Sequence, residues 1–232
     1  MARAPELRQL PLDLSRRPGF SRDELVVTAA NAEAVALVDR WPDWPSPVAV
    51  LAGPPGSGKS HMAALWADRA EAFTGEPADL AAAVSQASSG RTVLLDGIDT
   101  PLDEQGLFHL INAVRAAGSS LLMTSRRFPV SWSVTLPDLA SRLRAATVTE
   151  IAEPDDALLS AVITKLFADR QVEVEPHVVS YIVNRIERSL STAGRVVDRL
   201  DQAAMSRKTR ITRAVAAEIV SAMDEGQGEL PY

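Results

Sequence analysis

The chain reads as an α/β protein: a parallel sheet with helices on both faces, built around a phosphate-binding loop and followed by a small all-helical domain. Three observations predict this. Short apolar runs alternate with amphipathic helical patterns up to about residue 152. The first of those runs leads directly into Gly53-Pro-Pro-Gly-Ser-Gly-Lys-Ser60. Beyond Pro154 only the 3.6-residue period remains.

Taken in order, residues 1–20 are expected to form an extended arm, because Pro5, Pro11, Pro18 and Gly19 interrupt any helix. Ser21 to Glu24 forms a capping box ahead of a helical pattern over Asn31 to Arg40. Trp41 to Pro47 is a proline-stiffened loop, with Trp41 and Trp44 expected to pack beside the α/β domain. Val48 to Ala52 reads as a buried strand, and a helix follows the loop to about Arg69. Thr92 to Leu95 is a second buried strand, ending at Asp96. Thr100-Pro101 is the expected start of a helix that stops at Gly118. Ser120 to Thr124 and Thr147 to Ile151 complete four expected strands. Asp155 to Asp169, His177 to Glu187, Thr192 to Arg207 and Arg213 to Met223 are the expected helices of the last part. The units are therefore 1–20, 21–152 and 153–232.

The 232 residues suffice for one large domain or one plus a small one. There are no cysteines, which excludes disulfide frameworks and thiolate metal sites. No apolar run approaches the roughly 20 residues needed to cross a bilayer, and the first residues lack the apolar stretch of a signal peptide. A cytoplasmic location is expected, with no membrane partner. The formal net charge of −6 argues against autonomous sequence-specific DNA binding, which usually needs a basic face. Lysine occurs only at 59, 165 and 208, so a lysine inside the glycine-rich loop is the more telling. His61, His109 and His177 have no metal-ligand spacing and read as structural or surface residues.

Gly53, Pro54, Pro55, Gly56, Ser57, Gly58, Lys59 and Ser60 satisfy G-x-x-x-x-G-K-[ST] between an apolar strand and a helix. Glycines let backbone N–H groups curl around phosphate oxygens, and the helix directs its positive end at the same anion. Lys59 is placed to neutralise terminal phosphates, and Ser60 to offer its hydroxyl to Mg²⁺. Asp96, at the end of a buried strand, is the natural second magnesium-site residue. The ligand expected is ADP or ATP with Mg²⁺. Many ATPases of this type place a second acid directly after the first, to polarise water; here that residue is Gly97, and Asp99 stands two residues beyond it. Loss of that base leaves binding intact and hydrolysis slow.

P-loop, Asp-ended strand, Thr124-Ser125 at a strand end and a helical lid occur in the order that resembles AAA+ ATPases. Leu136-Pro-Asp-Leu-Ala-Ser-Arg-Leu143 and Leu107-Phe-His-Leu-Ile-Asn-Ala113 resemble, more specifically, the DnaA-related AAA+ family and most closely its short Hda-type members. The resemblance spans roughly residues 7–225. Two departures from DnaA stand out. The chain ends at Tyr232, shortly after the expected lid, where DnaA continues into a helix-turn-helix domain. The segment between Glu71 and Arg91 is also short for the helical insertion that helps initiators form filaments.

The resemblance implies roles for further residues. Arg142 falls where the family carries an arginine finger aimed at a neighbour's nucleotide; the plain alternative is a surface arginine paired with Asp138 one helical turn away, and Arg144 is the nearby substitute. Thr124 or Ser125 matches the residue that senses the nucleotide from the strand end. The lid position occupied by arginine in DnaA lands on Ser191, leaving Arg195 or Arg188, one turn away on either side, as substitutes or as solvated charges. Phe108 and Asn112 lie four residues apart on one helical face and match contacts to a partner AAA+ module, although Phe108 also fits ordinary core.

Gln9-Leu-Pro-Leu-Asp-Leu14 resembles peptides that dock on the bacterial sliding clamp, the β subunit of DNA polymerase III. Gln9 would hydrogen-bond in one subpocket while Leu10, Leu12 and Leu14 supply apolar anchors; the alternative is an arm packed on its own domain. Together these features imply a nucleotide-bound regulator that rides on the clamp. It would stimulate ATP hydrolysis by DnaA in trans and so restrain initiation of chromosome replication, with weak ATPase activity of its own at most. Self-association is compatible with the same features. The alternatives are a self-contained ATPase of helicase-loader type and a DNA-binding initiator fragment.

Overall fold

The computed structural model describes residues 25–98 and 101–227. Its centre is a five-stranded parallel sheet made of β1 (Val48–Ala52), β2 (Phe73–Gly75), β3 (Val93–Leu95), β4 (Leu121–Ser125) and β5 (Thr147–Glu150), in the order β2-β3-β4-β1-β5. The expected parallel α/β architecture is present. β1 and β4 are buried along their whole length, as interior strands covered on both faces must be.

Side-chain alternation along β1 separates two cores. Val48 and Val50 join one with α3 (Leu80–Ser88), α4 (Glu104–Ala117) and α5 (Pro137–Arg144). Ala49 and Leu51 join the other with α1 (Ala32–Arg40) and α2 (Lys59–Arg69). On that second face Trp44 stacks on buried Trp66 with centroids 5.3 Å apart, and Trp41 meets Trp66 edge-on at 6.2 Å. The indole N–H of Trp44 donates to the Leu37 carbonyl at 2.7 Å, which locks the loop after α1.

The remaining helices, α6 (Asp156–Asp169), α7 (Pro176–Val183), α8 (Leu190–Arg207) and α9 (Arg213–Gln227), enclose a core of their own around Leu159, Ile163, Phe167, Ile182, Val197 and Leu200. Asp155 caps α6 by accepting the Leu158 N–H at 2.7 Å, and Ser189 caps α8 by accepting from Thr192 at 3.2 Å.

Several expectations need correction. Four strands were expected and five are present: β2, and helix α3 after it, lie in the segment between Glu71 and Arg91 to which no element was assigned. Three residues carry no period of their own, and β2 forms because Phe73–Gly75 pairs with Val93–Leu95. Helix α4 starts at Glu104 rather than Thr100: the Asp103 carboxylate accepts the Gly106 N–H at 2.9 Å and outcompetes the Thr-Pro signal as the cap. Helix α7 runs from Pro176 only to Val183, not to Glu187. Helix α8 begins at Leu190, two residues before Thr192, because Ser189 is its cap.

Candidate functional site

The sheet register assembles the site before any side chain is considered. Ala52 of β1 lies opposite Ser125 of β4, and Leu95 of β3 opposite Met123, so the carboxyl ends of three adjacent strands finish together. That is the crevice where open parallel sheets hold ligands. The loop Gly53–Ser60 leaves β1 there. Gly56 at φ +73° and Gly58 at φ +97° take the left-handed turns of the loop, a conformation that side chains resist. Gly58 is also the N-cap of α2, whose first residue is Lys59.

Lys59 is buried, and its ammonium donates to the Pro54 carbonyl at 2.6 Å and to the Ser57 hydroxyl at 3.4 Å. Ser60 Oγ donates to Asp96 Oδ1 at 3.0 Å. Two oxygens occupying adjacent corners of a magnesium octahedron, each ~2.1 Å from the metal, stand about 3.0 Å apart. The Ser60–Asp96 pair therefore fits a shared Mg²⁺. Thr124 Oγ1 donates to the same Asp96 oxygen at 2.5 Å and accepts the Gly97 N–H at 2.7 Å. Of the two strand-end candidates, Thr124 is thus the one joined to the Asp96 network. The Ser125 hydroxyl accepts instead from the Trp132 indole and the Arg127 N–H, both at 3.1 Å. Gly97 has φ +78°, a backbone turn that disfavours the acid usually found at this point in related ATPases. Asp99 lies outside the described residues.

The helical part reaches the loop through the start of α8. The Leu190 N–H donates to the Gly56 carbonyl at 2.7 Å. A methyl group on Gly56 would lie 2.1 Å from Ser189 Oγ, so Gly56 also makes room for this approach. The Ser191 hydroxyl bonds with that of Ser189 at 2.8 Å. Arg195 donates to the Thr192 hydroxyl at 2.9 Å. Arg188 pairs with Asp156 at 3.0 Å and reaches the Pro154 carbonyl at 3.4 Å. Both lid arginines are thus engaged inside the helical part, and Leu190 and Ser189 are what touch the loop.

Arg142 sits in the last turn of α5, between buried Leu139 and Leu143, and is half-exposed. The pairing expected with Asp138 does not form, and among the described residues the Arg142 guanidinium has no hydrogen-bond or ion-pair partner. The short helix explains this. Asp138 lies in its first turn and Arg142 in its last, where each charge already complements the helix dipole. Arg144, the alternative, is exposed in the same turn and borders an apolar surface groove with Phe128, Val130 and Val148.

One anchor of this helix escaped the sequence reading. The Glu104 carboxylate accepts the Thr135 N–H at 2.9 Å and the Leu136 N–H at 2.6 Å, tying the entry of α5 to the start of α4. The Thr135 backbone bond, then the Leu136 bond, hold Glu104 below the usual carboxylate range. On α4, Phe108 is half-buried against the α3–α4–α5 core and Asn112 is half-buried beside it. Gln9, Leu10, Leu12 and Leu14 lie outside the described residues.

With the geometry in place, comparison with known proteins becomes decisive. The family model described as "Hda, lid domain" matches residues 156–216. The chromosomal replication initiator DnaA of Cutibacterium acnes is 30% identical over 87 residues, 38% of this chain and 17% of the initiator.

The chain is similar to DnaA-related AAA+ proteins.

An uncharacterized protein of Haemophilus influenzae is 23% identical over 195 residues, covering 77% of this AAA+ chain and 84% of that relative. Among solved structures, domain III of Thermotoga maritima DnaA superposes with a TM-score of 0.73 at 16% identity, covering 88% of this chain and 97% of the other. AMPPCP-bound DnaA of Aquifex aeolicus gives a TM-score of 0.65 at 18% identity, over 79% of this chain and 65% of the other. The structural matches establish an AAA+ fold. The lid match and the initiator match are the two sequence similarities to DnaA-related proteins, one over residues 156–216 and the other over 87 residues. No helix among the described residues is long and apolar enough to cross a membrane.

Proposed function

We propose that this AAA+ protein is a nucleotide-bound regulator that donates Arg142 to the nucleotide site of DnaA and so accelerates ATP hydrolysis there. The observation that carries the reading is Arg142 itself: half-exposed and without a side-chain partner among the described residues. Its helix packs on the α3–α4 face of the sheet, whereas the P-loop helix α2 packs on the opposite face. A guanidinium in that position serves a neighbour better than its own phosphates. In a neighbour's site it would stabilise charge developing on the γ-phosphate, an effect of roughly 10³–10⁵ in other NTPases.

The chain's own P-loop would hold ADP or ATP. Lys59 would face the terminal phosphates, and Ser60 and Asp96 would share Mg²⁺. Support comes from the buried ammonium, the 3.0 Å Ser60–Asp96 spacing and the AMPPCP carried by the Aquifex aeolicus DnaA structure. Gly97 in place of an acid makes hydrolysis by this chain slow. Gln9, Leu10, Leu12 and Leu14 would tether the protein to the sliding clamp, and Phe108 and Asn112 would contact the DnaA module beside Arg142. Acting in the cytoplasm, the protein would limit re-initiation.

A self-contained ATPase is the second reading. The Ser60–Asp96–Thr124 network favours it, since that network belongs to hydrolysis as much as to binding. One experiment separates the two: single-turnover hydrolysis of DnaA-bound ATP, with clamp, and with wild-type protein or Arg142→Ala. Stimulation lost in Arg142→Ala, with the variant's own nucleotide affinity unchanged, supports the trans-acting finger. Full stimulation by the variant, or rapid ATP turnover by the chain alone, rejects it.

A further inference from the structure

We infer that the first backbone N–H of α8 is a clamp on the phosphate loop, and that this bond positions the loop for nucleotide and sets how long the nucleotide stays. The inference rests on the proposal that Gly53–Ser60 binds a nucleoside phosphate.

Leu190 is the first residue of α8, and the N–H of a first helical residue has no partner within its own helix. Here that N–H crosses to the Gly56 carbonyl at 2.7 Å. Gly56 is one of the loop's left-handed turns, at φ +73°. Leu190 Cδ1 would lie 3.1 Å from a methyl group placed on Gly58, the next such turn. A single lid residue thus meets both turns. The chemistry makes the contact compatible with a ligand. Phosphate oxygens accept hydrogen bonds from loop N–H groups and have no use for a carbonyl, so the anion and the lid bind complementary groups of the same peptide chain.

Among the described residues, no other lid residue is seen to meet both turns. Ser191 replaces the arginine of related initiators, and Arg188 and Arg195 are engaged within the helical part. The lid of this chain therefore grips the loop's backbone. If the clamp holds the loop in its phosphate-ready curl, lid docking and nucleotide binding reinforce each other, and by linkage each strengthens the other equally.

The test separates the N–H from the side chain. Leu190→Ala keeps the N–H and loses the side chain; Leu190→Pro loses both. Proline is well tolerated at a first helical position, and Ser189 before it already has the extended ψ of 126° that proline requires. Release of a fluorescent ADP analogue from the full chain with Mg²⁺ is followed by stopped flow. Release about tenfold faster from Leu190→Pro than from Leu190→Ala supports the clamp, a factor equal to ~1.4 kcal/mol. Equal release from the two variants overturns it. A wild-type chain that binds no analogue overturns the nucleotide reading as well, and that result is visible before any variant is made. Should Leu190→Pro fold poorly, hydrogen exchange on the wild-type chain decides. A Leu190 amide protected in the free protein, and further protected by ADP, supports the clamp, because protection at this position reports a bond outside the helix. Exchange at the rate of an unbonded amide with and without ADP rejects it.

Discussion

The phosphate loop, at the carboxyl end of β1, and the end of α5, just before the amino end of β5, each carry a cation, and they are built in opposite ways. Lys59 is buried and held by its own loop, with the loop tied in turn to α8. Arg142 is half-exposed and, among the described residues, its guanidinium has no bonding partner, although the helix that carries it is firmly anchored through Leu139, Leu143 and Glu104. The first arrangement is complete once an anion enters. The second fixes a backbone and, on the function proposed above, offers its charge to another molecule. The difference teaches how to tell a resident site from a donated residue: the former satisfies its cation internally, the latter pre-orients it and leaves it free.

The sharpest break in that comparison comes at Arg142. Arg142→Ala is expected to lower the stimulated rate of DnaA-bound ATP hydrolysis about 10³-fold, leaving the chain's own ADP affinity unchanged by equilibrium binding. Arg142→Lys should fare nearly as badly, because lysine keeps the charge but lacks the planar fork. Lys59→Ala should produce the mirror image. Nucleotide affinity is expected to fall about 100-fold with loss of charge-assisted bonds to phosphate, while α5 stays folded. If Lys59→Ala retained labelled nucleotide at the wild-type level, the loop would not be the resident site.

Glu104→Ala gives a smaller effect on the finger side alone. With the Thr135 and Leu136 N–H groups released, the entry of α5 loosens, and DnaA stimulation should drop about tenfold with ADP binding intact. The same residue gives a pH signature. Its folded-state pKa is lowered, so its contribution to stability is present above the ordinary value of 4.5 and is lost as pH falls through the lowered one. Thermal melting should therefore decline below pH 4.5 in the wild type and less steeply in Glu104→Gln.

The smallest effect is expected on the loop side. His61 of α2 is held below its ordinary value by burial and then by Lys165 of α6, so protonation works against the folded state. Stability contributed by neutral His61 is present above pH 6.5 and fades as pH falls below it, and His61→Gln should flatten that slope in melting curves between pH 5 and 7. An unchanged slope would mean that the folded state does not disfavour protonated His61.

How much of this was legible follows from what each feature is made of. The P-loop, Asp96 and the buried strands were readable because a phosphate nest and a covered strand each demand particular residue types in a particular order. The pairing of β2 with β3 was not, since three residues carry no period and their partner is set by sheet closure. The start of α4 was misread because two caps competed, and only packing chose Asp103.

By itself the sequence determined the parallel α/β class, the glycine-rich loop with Lys59, Ser60 and Asp96, and the local motif around Arg142. Only the tertiary structure decided that Thr124 rather than Ser125 joins Asp96, that Arg142 stands unpaired among the described residues, and that Glu104 and Leu190 anchor the two sites. The physical reason is that these last contacts run to backbone N–H groups and carbonyls. Every residue carries them, so no side-chain pattern announces which will meet, and the answer appears only when register and helix packing bring them within 3 Å.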